Sequence, residues 1–137
     1  MAPRRPQLAL LMAAASLLAG VNAVAEPAGR SLDARQRDII KRFVLREAKA
    51  SIVSPREGEP HEFAAALASA LRAAGAWVAN DQRNSVEPGT TDLTVAYDHG
   101  VPADSSIFLA LQRAGLHPKD ENIPGAPVAT VIVGPRS

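Results

Sequence analysis

The sequence predicts a mixed α/β fold, a four-stranded sheet in the order strand, helix, strand, strand, helix, strand, with an additional amphipathic helix in front of it. Three observations carry this. Short runs bounded by turn residues, two of them rich in Ile and Val, recur at 50–53, 76–79, 92–98 and 128–133. Two alanine-bearing segments between them hold apolar residues at helical spacing and stop at Gly75 and Gly115. A chain of 137 residues, 47% apolar and with a mean hydropathy of −0.02, has the size and composition of one globular domain.

Residues 1–25 read as a signal peptide rather than as fold. Arg4 and Arg5 supply a positive start, 8–21 is an uncharged apolar run, and Ala23-Val24-Ala25 places small residues where a signal peptidase cuts. Fourteen apolar residues fall short of the ~20 that a membrane-crossing helix needs, which favours cleavage before Glu26 over a retained anchor. Residues 26–137 then form a single exported domain in the periplasm or outside the cell. With no cysteine in the chain, disulfides, thiolate zinc sites and a cysteine nucleophile are excluded.

Ser31 is placed to cap a helix over 31–47, with Asp33 in its first turn where the helix dipole favours an anion. At 100° per residue Leu32, Ile39, Ile40, Phe43 and Val44 share a stripe, and Arg35, Arg37, Lys41, Arg42 and Arg46 fall opposite. Residues 30–49 carry seven cations against three anions, whereas 50–137 carry six cations against ten anions. The basic helix therefore either complements an acidic body or faces an anionic surface outside the chain, such as lipid headgroups or cell-wall polymer.

The strand 50–53 ends at Ser54-Pro55, and Pro60 suits the first turn of the second helix. Phe63, Ala64, Leu67, Ala70, Leu71 and Ala74 form its apolar stripe, and Gly75 sits where a left-handed cap is needed. After the strand 76–79, a polar stretch 80–91 contains the turn Pro88-Gly89. Residues 92–98 alternate, with Leu93, Val95 and Tyr97 on one side. Asp104 or Ser105 can cap a third helix in which Ile107, Phe108, Leu111 and Ala114 share a face and Leu109 points away. A connector, 116–127, leads to 128–133, which is apolar on both faces and so calls for cover on both. Two closures fit: a ferredoxin-like sheet with an antiparallel hairpin across 80–91, which is preferred, or a small parallel sheet. The first helix covers the opposite face or pairs with another subunit.

The succession Leu32-Asp-Ala-Arg-Gln-Arg-Asp-Ile, Ser51-Ile-Val-Ser-Pro, the segment from Glu62 through Leu-Arg-Ala-Ala-Gly-Ala-Trp-Val78, Leu109-Ala-Leu-Gln-Arg-Ala-Gly and Val131-Ile-Val-Gly-Pro-Arg resembles a family of small uncharacterised bacterial α/β modules. Members of that family sit behind a membrane helix or an export signal. The resemblance spans 31–136 and implies a fold and an envelope location but no catalytic residue. The strand–helix–strand order with Leu-Arg-Ala-Ala-Gly and Val-Gly-Pro is also similar, in part, to peptidoglycan-binding SPOR domains, whose pattern continues into a further helix. Ile52-Val53-Ser54 followed by the alanine-rich helix and Ala76-Trp77-Val78 resembles the first βαβ unit of TIR domains.

Common catalytic signatures are missing. The sequence has no G-x-S-x-G, no phosphate-binding glycine loop and no H-E-x-x-H, so no cofactor is implied. One tyrosine in the strands and an acidic body argue against nucleic acid. His61, Asp98 and His99 would make a histidine–carboxylate metal site if the second helix and the third strand open onto the same edge, although His61 points about 160° from Phe63 at ideal helical spacing. Trp77, the single tryptophan, is either packing or a partner contact. The expectation is a non-enzymatic exported module of the cell envelope that binds a protein or polymer through Arg35, Lys41, Arg42, Arg46 or Trp77. The alternatives are a peripheral membrane or self-assembling role for the basic helix, as a homo-oligomer, and a small metal-dependent enzyme.

Overall fold

The computed structural model describes residues 29–80 and 90–137. The signal-peptide reading and most of the polar stretch with Pro88-Gly89 lie outside the described residues. Within them the elements are α1 (Ala34–Phe43), β1 (Lys49–Val53), α2 (Glu59–Ala73), β2 (Trp77–Asn80), β3 (Leu93–Tyr97), α3 (Pro102–Arg113), β4 (Lys119–Asn122) and β5 (Ala129–Val133).

The strands form one mixed sheet in the order β2, β1, β5, β3, β4. β1 runs parallel to both neighbours, with Ala50 opposite Val78 and Ser51 opposite Thr130. β3 is antiparallel to β5, with Val95 opposite Val131, and parallel to β4. The mixed α/β class is as expected, but the ferredoxin-like order is not. A helical crossover returns the chain in the same direction, so α2 lays β2 beside β1, and β3 lies on the far side of β5. The antiparallel β3 excludes the all-parallel closure as well. From β2 to β3 is three strand spacings, about 14 Å.

β5 takes the centre because its sequence suits it: hydrogen-bonded neighbours flank it on both sides. Its alternation is nevertheless one-sided in cover. Ala129, Val131 and Val133 are buried, while Thr130 and Ile132 are half-buried. The same pattern in β1 buries Ala50 and Ile52 and leaves Ser51 and Val53 partly open. α2 and α3 pack on the buried face, and α1 packs on α2 and α3 rather than on the reverse face. Among the described residues no helix covers that reverse face, so the expected three-layer arrangement is not formed. One core joins Ile40 of α1, Phe63, Leu67 and Leu71 of α2, Ile107 and Leu111 of α3, and Ile52, Val95, Val131 and Val133 of the sheet.

Local chemistry explains the ends of α2. Glu59 and Glu62 occupy its first turn with Pro60, where anions meet the positive end of the dipole and the imide nitrogen loses no bond. Gly75 has φ of +99°, a left-handed conformation that favours glycine, and a Cβ there would stand 3.2 Å from Cγ of the exposed Arg46. β4 was expected to be part of the connector. It is Lys-Asp-Glu-Asn, exposed throughout, with no apolar alternation to betray it. Its charges blunt a sheet edge.

Candidate functional site

α1 is shorter than the 31–47 expected. Asp33 rather than Ser31 caps it: Oδ1 accepts from the Gln36 amide at 2.7 Å, and the Gln36 side chain accepts from the Asp33 amide at 3.0 Å, a reciprocal capping box. The helix stops at Phe43 because Val44 turns extended and the next amide is taken by another element. Ile40, Leu32 and Val44 are buried, and the Gln36 side chain donates to the carbonyl of Ala114 at the end of α3, so a polar group within the apolar stripe is satisfied across helices. α1 thus docks by its apolar face, and among the described residues its cations make no ion pair with the acidic body.

Arg35, Arg37, Lys41 and Arg42 are consequently exposed. Among the described residues, the ion pair that these cations make is local, Arg42 Nε to Asp38 Oδ2 at 3.0 Å, an exposed i,i+4 pair worth about 0.3–0.5 kcal/mol. Arg37 and Lys41 border a groove of about 330 Å³ between α1 and α2, floored by Ala34, Ser69 and Ala73. The small side chains on α2 open the groove, and two cations and the anion Asp38 line it. Arg46 lies past the helix, against Gly75.

The connection from α1 to β1 hangs from α3. The Leu45 amide donates to Ser106 Oγ at 2.9 Å, and that hydroxyl donates to the Ala103 carbonyl at 2.6 Å. The Lys49 amide donates to Asp104 Oδ1 at 3.1 Å. Asp104 and Ser106 are both buried. Asp104 does not cap α3, as the sequence suggested; α3 begins at Pro102, with no side-chain cap at Val101. The carboxylate instead satisfies the first amide of β1. Sequence reasoning missed both roles, since Ser and Asp near a helix start read equally well as caps. The Trp77 amide donates to the Ala48 carbonyl, so Trp77, 59% exposed, stands beside this connection.

The histidines do not converge. His61 begins α2 after the C-terminal end of β1, with Nδ1 3.2 Å from the Pro55 carbonyl. Asp98 and His99 follow the C-terminal end of β3, which is antiparallel to β5 and hence to β1, so the two groups lie at opposite ends of the strands. Asp98 accepts from the Gly100 and Gly125 amides at 2.8 and 2.9 Å, which hold its carboxyl below the usual range, first through Gly125, and which staple two loops. His99 Nε2 donates to Asp120 Oδ1 at 2.8 Å, and its ring lies 4.6 Å from that of Tyr97. Burial, together with Asp120, pushes the Tyr97 hydroxyl up to about 12. Asp120 belongs to the unforeseen β4. Among the described residues no three His, Asp or Glu side chains gather to hold a metal.

At the opposite end Arg30 clamps the start of the fold. Its Nε and Nη2 donate to the two carboxylate oxygens of Glu59 at 2.8 and 2.7 Å, its amide donates to Oε2 at 2.8 Å, and Nη2 also donates to the Gly134 carbonyl at 2.7 Å. The Arg30 side-chain hydrogen bonds hold the Glu59 carboxyl below its usual value against a smaller opposing effect of burial. A carboxylate with a lowered folded pKa stabilises above its unfolded pKa and loses that contribution as pH falls through the folded value. Glu59→Gln is therefore expected to cost about 1–2 kcal/mol at neutral pH. The difference from wild type should shrink below about pH 4, measured by urea denaturation across pH. A difference that is constant down to pH 3 would remove the ion-pair explanation.

No helix among the described residues is long and apolar enough to cross a membrane. No family model, curated protein or solved structure matches the chain.

Proposed function

We propose that this chain is a non-enzymatic binding module that is exported and acts in the cell envelope, presenting the cationic side of α1 to an anionic partner. The observation that supports it is the mode of docking of α1. Leu32, Ile40 and Val44 of its apolar stripe are buried and Phe43 is 40% exposed, while Arg35, Arg37, Lys41 and Arg42 stay in solvent, Arg42 alone of them ion-paired, with Asp38, among the described residues. Arg37 and Lys41 flank the groove and form the centre of the proposed contact. Export rests on the leader-like sequence of residues 1–25, and an N-terminus at Glu26 in the mass spectrum of the secreted protein is its test.

Sedimentation of the protein with isolated cell-wall polymer and with anionic vesicles, each at low and high salt, tests the binding. Exposed charges interact over about 10 Å at 0.1 M salt and about 3 Å at 1 M, so binding should weaken as salt rises. Charge reversal of Arg37→Glu with Lys41→Glu should weaken it by about ten-fold or more, at ~1 kcal/mol for each cation near an anionic surface. Binding that ignores both salt and the reversal would sink the proposal. A second reading, a peripheral role on the bilayer itself, is favoured by apolar side chains exposed where α1 ends.

A further inference from the structure

Of the five large apolar side chains exposed among the described residues, four lie near one another, and Ile123 stands apart after β4. Phe43 (40% exposed) and Leu45 (46%) lie at the end of α1 and in the connection to β1, and Trp77 (59%) is the first residue of β2. The parallel pairing sets Trp77 opposite Lys49, the first residue of β1, and the Trp77 amide binds the Ala48 carbonyl within the same connection. All three therefore lie at the end of the molecule where β1 and β2 begin. Leu109 (48%) extends the patch along α3. It lies between Ser106, which holds the Leu45 amide, and Arg113, whose guanidinium carbon stands 4.9 Å from the centre of the Phe43 ring. Residues 106, 109 and 113 share one helical stripe by their three- and four-residue spacing.

Cations belong to the same segments: Arg42, ion-paired with Asp38, Arg46 against Gly75, Lys49 opposite Trp77 and Arg113 over Phe43, with Glu47 as an anion of the same connection. We infer that the end of the molecule carrying Phe43, Leu45 and Trp77 docks on an anionic lipid bilayer, the apolar tips entering the interface while Arg42, Arg46 and Lys49 meet the headgroups. This names the anionic partner of the preceding proposal and rests on it. Three features favour lipid over a protein partner or a second copy. The tips project from a helix end, a connection and a strand start rather than lining a groove. Tryptophan suits the headgroup level, where one side of the indole is wet. Two copies meeting through this end would bring like charges together. The buried bonds from Ser106 and Asp104 fix the connection, so the tips are presented without an ordering step.

Trp77, as the single tryptophan, reports the event directly. The full chain as cells deliver it, its N-terminus read by mass spectrometry, is mixed with phosphatidylglycerol vesicles, with phosphatidylcholine vesicles and with isolated cell-wall polymer. The inference expects sedimentation with the anionic vesicles, a blue shift of tryptophan emission and quenching by brominated acyl chains. Phe43→Ser with Leu45→Ser should lower partition by about ten-fold or more, with an unchanged circular dichroism spectrum. Sedimentation with anionic vesicles but unaltered emission and no bromine quenching overturns the inference and leaves the electrostatic proposal for α1 standing. Binding to wall polymer without binding to vesicles does the same. Binding to none of the three overturns both.

Discussion

Phe63→Ala is expected to lower stability by about 3–5 kcal/mol, the largest loss anticipated for any single substitution in this fold. Phe63 is 1% exposed and stands first by volume among the fully buried side chains. It belongs to the core shared by all three helices and the sheet, so the surroundings that would have to collapse into the vacated space belong to several elements at once. The guanidinium of Arg30 also stands 4.8 Å from the ring centre. Truncation would therefore remove the support beneath the Arg30–Glu59 pair as well as open a cavity. Small domains are typically stable by about 5–15 kcal/mol, so the variant would stand near its unfolding threshold. Urea denaturation reads the loss as a lower midpoint at unchanged slope. A loss under about 1.5 kcal/mol would show that this ring is not at the centre of the packing. Phe63→Leu should cost much less, because volume is largely kept.

Gly134→Val is expected to cost about 3 kcal/mol, the upper end of what overpacking usually imposes. The φ of Gly134 is not the reason; proximity is. A Cβ there would lie 2.6 Å from the Thr90 carbonyl oxygen and 3.0 Å from Thr91 Cα, both backbone atoms. The segment cannot simply step aside, since the Gly134 amide donates to the Asp92 carbonyl at 2.8 Å, and the Asp92 amide donates to Pro135 at 2.8 Å. Any side chain must pry the end of β5 from the segment that leads into β3, breaking these bonds and disturbing the carbonyl that Arg30 holds. A fall in melting temperature of about 10 °C or more checks this. Gly134→Ala should show a smaller fall in the same direction, and a neutral alanine variant would refute the close approach.

Much of the local structure was legible. α2 was marked at both ends, by Pro60 and by Gly75 with its positive φ, and its apolar stripe is the one the core uses. Alternation located β3, and the apolar runs located β1 and β5 to within a residue or two. Strand order was not legible, because which strands pair depends on contacts between distant segments that leave no local trace. β4 was invisible for a different reason. Its residues form a strand by hydrogen bonding to β3, Thr94 opposite Lys119 and Tyr97 opposite Asn122, and bury nothing.

The site was legible to the same depth. Helical periodicity placed Arg35, Lys41 and Arg42 on the solvent side of α1, where they are found. The groove that Arg37 and Lys41 border could not be read, since it arises with Ser69 and Ala73 of another helix. The convergence of His61 with Asp98 and His99 failed on strand direction alone. Asp104 and Ser106 carried an ambiguous signal: a short polar side chain near a helix start serves the helix or, as here, a neighbouring amide.

The position of β5 sets a timetable. The segments that give β1, α2 and β2, and those that give β3, α3 and β4, leave the ribosome before Ala129–Val133, yet within the sheet they are joined through that later strand, which pairs with β1 on one side and β3 on the other. Until it arrives the two halves have no common sheet to close.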